Sequence, residues 1–189
     1  VCDKPVEITA RTATLDGEAQ KAEGVLKVYR LKEPAKVERG PLAGHHHYYP
    51  MPMLRAGMDA AGGVKAPETD WSNPNSWPLG EVVFEQGVST DATGTAKAST
   101  KLPVGMYRAK LQTQDRFGKR VTAETPLRVL APAAEKLQIK VADVFAAPTW
   151  TLEPGKELQA LWGTGYDTGR AFIEIEHRQK LLQAYWTKP

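Results

Sequence analysis

Cys2 is the only cysteine in a chain of 189 residues. An intrachain disulfide is therefore excluded, and so is a zinc site of clustered thiolates. No run approaches the ~20 apolar residues of a membrane span. No amphipathic helical period is sustained: 18–22 is the only patch of good helix formers, and it is too short to be stable alone. A Gly-rich phosphate loop is missing, and Ser72, Ser76, Ser89 and Ser99 sit in no nucleophile-elbow context. A preponderance of one charge is missing too. The 25 Lys and Arg are offset by 22 Asp and Glu, and stretches such as Lys27-Val28-Tyr29-Arg30-Leu31-Lys32-Glu33 mix the signs instead of building a basic stripe. A solvated, mixed surface with no nucleic-acid partner is expected.

What the chain has in quantity is alternation punctuated by turns. The stretch 90–130 shows it best. Tyr107, Ala109 and Leu111 fall on one face and Arg108, Lys110 and Gln112 on the other, the period-2 pattern of a half-buried strand. Asp91–Gly94 and Asp115-Arg116-Phe117-Gly118 read as turns, with Gly118 supplying the positive φ of a hairpin loop. Upstream, 6–12 and 25–31 read as strands, the second burying Leu26 and Val28, and a Leu15-Asp16-Gly17-Glu18 turn separates them. Residues 81–88 resume the β pattern with Val82 and Phe84 on one face. The fold class expected is all-β: tandem antiparallel β-sandwiches of immunoglobulin-like type. The first spans 1–130, with a long irregular insertion at about 41–79; 131–136 has linker composition; the second occupies 137–189. Strands are expected there at 137–141, at 158–162 with Leu158, Ala160 and Trp162 on one face, and at 171–176 and 180–186, with 150–152 extended. About five strands are too few for a full sandwich, so this unit is expected to be truncated, with an open edge that the first unit or a second molecule must cover. The chain opens abruptly in strand-like sequence with no apolar signal segment, as an excised piece would.

Several constellations carry potential chemistry. His45-His46-His47, beside Tyr48, Tyr49, Met51 and Met53, is the most conspicuous, because imidazole suits zinc, copper or nickel and thioethers suit cuprous copper. Adjacent histidines diverge, however, and no i, i+4 pair or distal carboxylate joins them, so an exposed loop without metal is expected. His177 lies near Glu174 and Glu176, but both carboxylates fall on the opposite face of a strand, which argues against acid–base chemistry. Trp71, Trp77, Trp150, Trp162 and Trp186 would suit a carbohydrate-stacking platform; core and interface packing is the plainer expectation. Trp71 and Trp77 also imply that the end of the insertion packs back on the body.

The turn grammar resembles that of the macroglobulin domains of bacterial alpha-2-macroglobulin-like proteins. The residues that carry it are Thr90-Asp91-Ala92-Thr93-Gly94, then Leu102-Pro103-Val104-Gly105-Met106-Tyr107-Arg108, then Asp115-Arg116-Phe117-Gly118. Thr149-Trp150-Thr151-Leu152-Glu153-Pro154-Gly155-Lys156-Glu157-Leu158 is similar to the opening of the next such domain. The resemblance implies an extracytoplasmic, non-catalytic scaffold piece of a large protein that traps or inhibits proteases, with neighbouring domains and proteases as partners and no cofactor. Some members carry a thioester between a Cys and a Gln in a Cys-Gly-Glu-Gln pattern. Here Phe84 precedes Glu85-Gln86, so no thioester can form at Gln86. Cys2 is reminiscent of a lipidated first residue, but Val1 precedes it, and an ordinary residue is expected. A protease-cleavable segment would suit Arg55 and Lys65, although the family places its bait beyond the early domains. A cell-surface carbohydrate-binding β-sandwich module is the alternative function.

Overall fold

Among the described residues, antiparallel β-strands account for the regular elements apart from one 3-10 turn, as the alternation dictates. The computed structural model describes residues 2, 4–40 and 69–188. Six strands form a two-layer sandwich: β1 (Val6–Arg11), β2 (Glu23–Leu31), β3 (Leu79–Ser89), β4 (Thr95–Thr100), β5 (Gly105–Gln114) and β6 (Arg120–Val129). One layer pairs β1 with β4, and the other has the order β3-β2-β5-β6. Every pairing is antiparallel. Among the described residues no α-helix forms, and no helix is long and apolar enough to cross a membrane.

The alternating apolar residues explain why the layers meet. Ile8 and Ala98 from the small sheet face Leu26, Val28, Val88, Tyr107, Ala109 and Val129 from the large one, forming a single buried cluster. The register sets Val28 opposite Ala109 and Leu26 opposite Leu111, so one face of each strand delivers the core. One assignment fails on β3. Val28 pairs with Phe84 but Tyr29 pairs with Val82, so a bulge at Val83 puts Val82 and Phe84 on opposite faces. Phe84 packs on the core; Val82 is exposed.

At the start of β5 the Tyr107 hydroxyl donates to the Pro103 carbonyl at 2.8 Å. A buried tyrosine that bonds back a few residues upstream at such a corner is a recurring device of immunoglobulin-like sandwiches, and it is compatible with that character here.

Beyond 130 the elements are short: β7 (Val144–Ala146), β8 (Leu161–Gly163), β9 (Phe172–His177) and β10 (Lys180–Trp186). They form two separate two-stranded sheets, β7-β8 and β10-β9. The strand expected at 137–141 is absent. That alternation instead places Ile139 and Val141 in a second apolar cluster with Leu31, Trp77, Met106, Leu130 and Val144. Gly165 approaches so closely that a Cβ there would sit within 3 Å of the Ile139 and Val141 carbonyl oxygens. Packing fixes this stretch, and only an isolated parallel bridge between Glu38 and Val141 has ladder character. No strand forms at 150–152 either; β7, which lacks a long enough alternation to announce itself, occupies 144–146.

The second cluster joins residues on both sides of 131–136. Leu31 and Met106 lie on the strand faces opposite Val28 and Tyr107, and Ile139, Val141, Val144 and Trp77 cover them. Trp77 is 1% exposed, and its indole N–H donates to the Trp71 carbonyl at 2.8 Å. The 69–78 segment thus packs onto the body as its tryptophans imply.

Candidate functional site

The six-strand sandwich has two unlike ends. Antiparallel register brings the 12–22 loop, the 90–94 turn and the 115–119 turn to one end, because Gly24 pairs with both Val88 and Thr113, and Arg11 pairs with Thr95. The segment after β6 lies at the other end, beside Leu31 and Met106.

The two aspartate turns at the first end are built alike. Asp91 Oδ1 accepts from the Thr93 and Thr95 amides at 2.8 and 3.0 Å and from the Thr93 hydroxyl at 2.6 Å. Asp115 Oδ1 accepts from the Phe117 and Lys119 amides, both at 2.8 Å. Gly94 and Gly118 close the turns at φ 68° and 78°. The Thr93 hydroxyl, followed by the Thr95 amide, holds the Asp91 carboxyl below the ordinary range. In each turn one carboxylate oxygen, Oδ1, is committed to turn architecture. Next to them Thr90, the one buried polar residue among those described, meets the Thr12 hydroxyl at 2.9 Å and accepts from the Ala22 amide at 2.8 Å, pinning the long loop to the sandwich. Leu15 and Phe117 project at the loop tips, the second beneath the Arg116 guanidinium at 4.8 Å.

Exposed apolar surface is concentrated at the other end. Phe145, Trp150, Leu152, Leu158, Tyr166, Phe172, Ile175, Leu181, Leu182, Tyr185 and Trp186 are all solvent-exposed. A cleft of about 980 Å³ opens among β8, β9 and the 134–138 segment, lined in part by Leu137, Leu161, Trp162, Ile173, Ile175 and Tyr185. The register explains this lining: Ile173 opposes Tyr185 and Ile175 opposes Gln183, so these side chains share one hairpin face. The opposite face carries Phe172 against Trp186, with ring centroids 5.1 Å apart and the Arg170 guanidinium 4.6 Å above the indole. At the rim Lys136 Nζ bonds Asp167 at 2.9 Å and holds that carboxyl below its usual value.

The residues singled out from sequence scatter. His45, His46, His47, Arg55 and Lys65 lie outside the described residues. Among the described residues no three His, Cys, Asp or Glu side chains gather as metal ligands would. His177 ends β9 opposite Lys180, whereas Glu174 and Glu176 pair with Ala184 and Leu181. The Ser72 hydroxyl donates to Asp70 Oδ1 at 2.6 Å, and the Ser76 hydroxyl, at the end of the 3-10 turn Pro74–Ser76, donates to the Asp70 and Asn73 carbonyls ahead of it. Ser89 and Ser99 are exposed strand residues. Cys2 packs against the first core, and its amide donates to the Leu130 carbonyl at 2.8 Å. The five tryptophans form no common surface: Trp77 is buried beside Trp71, Trp150 sits 5.2 Å from Phe145, Trp162 lines the cleft and Trp186 stacks with Phe172. Sequence reading missed the Thr12–Thr90 clasp, since isolated threonines give no periodic signal.

Fold and site together define an all-β protein of sandwich type with an open apolar unit at one end. No protein-family model, no curated protein and no solved structure matches the chain.

Proposed function

We propose that this chain is a non-catalytic scaffold segment of a larger, extracytoplasmic alpha-2-macroglobulin-like protein, whose whole traps or inhibits proteases and whose neighbouring domains are the first partners of this piece. The observation that supports the reading is the open apolar unit. Side chains such as Leu158, Ile175 and Tyr185 remain exposed around a cleft that the two small sheets leave unfilled. Contiguous apolar surface of that kind marks a docking site, and a neighbouring domain that fills the cleft would bury it. The Leu-Pro-Val-Gly-Met-Tyr corner and the paired aspartate turns add support, because they place the residues of the resemblance at the joints that shape the sandwich.

The test compares this chain with one lengthened by about fifty residues of its reading frame, enough to bring 137–189 to the ~100 residues of a complete sandwich. The longer form melts at higher temperature and binds less of a hydrophobic dye. Equal melting and equal dye binding would sink the scaffold reading. A carbohydrate-binding module is the second reading, favoured by the exposed Trp186 beside Phe172 and Arg170. Glycan binding that Trp186→Ala abolishes would establish it.

A further inference from the structure

The open strand edges differ in how they are protected. In the sandwich, β3 carries Glu81 and Glu85 with Gly80 and Gly87, and β6 carries Pro126 with Arg120, Glu124 and Arg128. The small sheet has Glu7 and Arg11 on β1 and Lys97 on β4. Charges, proline and glycine are the usual means of keeping an edge from pairing with another chain. β9 has Glu174 and Glu176, and β7 and β8 are only three residues long. β10 is unlike all of these. From Leu181 to Trp186 it holds no charge, no glycine and no proline, and every residue is exposed. Its outer edge is unpaired among the described residues, since β10 and β9 form a sheet of two.

We infer that this edge is a self-association surface: β10 of one copy pairs antiparallel with β10 of a second, giving a continuous sheet in the order β9-β10-β10-β9. Charge selects a second copy as the occupant. A two-fold axis sets a strand against itself, so any charge in it meets its own sign, which is destabilising. β9 would set two glutamates per copy near each other, whereas β10 carries its one charge, Lys180, at the turn end and none from Leu181 to Trp186. A two-stranded hairpin is marginal alone, whereas four strands with an apolar face are self-supporting. Doubling the hairpin supplies that face, with Ile173, Ile175 and Tyr185 from each copy on one side, because those three share a face with Gln183 in the register, whereas Glu174 and Glu176 lie on the other.

The bulge at Leu182 limits the regular stretch to Gln183, Ala184, Tyr185 and Trp186. A register with its axis through Tyr185 sets that ring beside its own counterpart and the small Ala184 beside the second copy's Trp186, and leaves no like charges opposed. So short a ladder buries less than the ~1,200 Å² of a standard interface, and the association is correspondingly weak and concentration-dependent.

The inference goes beyond the scaffold reading and does not need it. Sedimentation of the full chain over a concentration series tests it, with Ala184→Lys on β10 and Thr122→Lys on the β6 edge as variants. Both positions are exposed, the lysine at 184 meets Glu174 within its own hairpin, and circular dichroism checks that each variant folds. The unaltered chain and Thr122→Lys reach the same dimer fraction, and Ala184→Lys raises the dimer dissociation constant by about tenfold or more. A chain that stays monomeric at the highest attainable concentration overturns the inference, as does a dimer that Ala184→Lys leaves intact. Neither result touches the melting comparison on which the scaffold reading stands.

Discussion

Tyr107, with no solvent exposure, donates its hydroxyl proton to the Pro103 carbonyl four residues upstream. The bond fixes the corner at which the chain enters β5, the strand flanked by β2 and β6 in the centre of the large sheet. Tyr107→Phe keeps the ring and strands the carbonyl. A loss of about 1–3 kcal/mol is expected, measured by urea unfolding. An unchanged midpoint would show that the corner is held by packing alone.

The same hydroxyl sets an alkaline limit. Burial raises its pKa, partly offset by Arg30. A group whose folded pKa is raised contributes stability that is fully present below its unfolded value, near ~10 for tyrosine, and that is lost as pH rises through the folded value. The chain therefore loses stability above about pH 10, and Tyr107→Phe flattens that part of the profile. Parallel profiles for the two proteins would refute this.

Trp77 lies in the apolar cluster that the sandwich shares with residues 139–144. Trp77→Ala should cost about 3–5 kcal/mol. Because that cluster spans both sides of 131–136, hydrogen exchange should quicken in β5 and around Val144 together. Acceleration on one side only would mean that the cluster does not couple them.

Thr90 serves Thr12 and the Ala22 amide at once. Thr90→Val preserves shape but leaves that half-buried amide without its acceptor, at an expected cost of about 1 kcal/mol. Proteolysis within 12–22 should become faster; an unaltered rate would show that the loop is held by other contacts.

Asp91 titrates below the ordinary carboxylate range, chiefly through the Thr93 hydroxyl. With its folded pKa depressed, its contribution is present above the unfolded value and is lost as pH falls through the folded one. Carboxyl NMR titration of Thr93→Ala should move the Asp91 pKa upward. No movement would assign the shift to the backbone amides.

The sandwich was legible because its strands alternate and glycines mark their turns: Leu26, Val28, Tyr107 and Ala109 are buried as their period demands. Val82 was misplaced because a bulge reverses parity without leaving a compositional trace. Residues 137–141 misled for a different reason: their apolar alternation reports burial of Ile139 and Val141, and burial does not require a ladder. The hairpin of β9 and β10 was readable, including its turn, where Arg178 and Gln179 take φ of 49° and 64°. The cleft was not, since it depends on how two small sheets sit and not on the residues within either.

The placement of the aspartate turns and the open apolar unit at opposite ends of the sandwich has an electrostatic consequence. The ten residues of β5 separate them, about 33 Å at the rise of an extended strand. Physiological salt screens exposed charges within about 8 Å. A charge added or neutralised at Asp115 or Arg116 is therefore invisible to the β10 edge. Reporter groups placed on that hairpin tip can follow association at the far end without altering it.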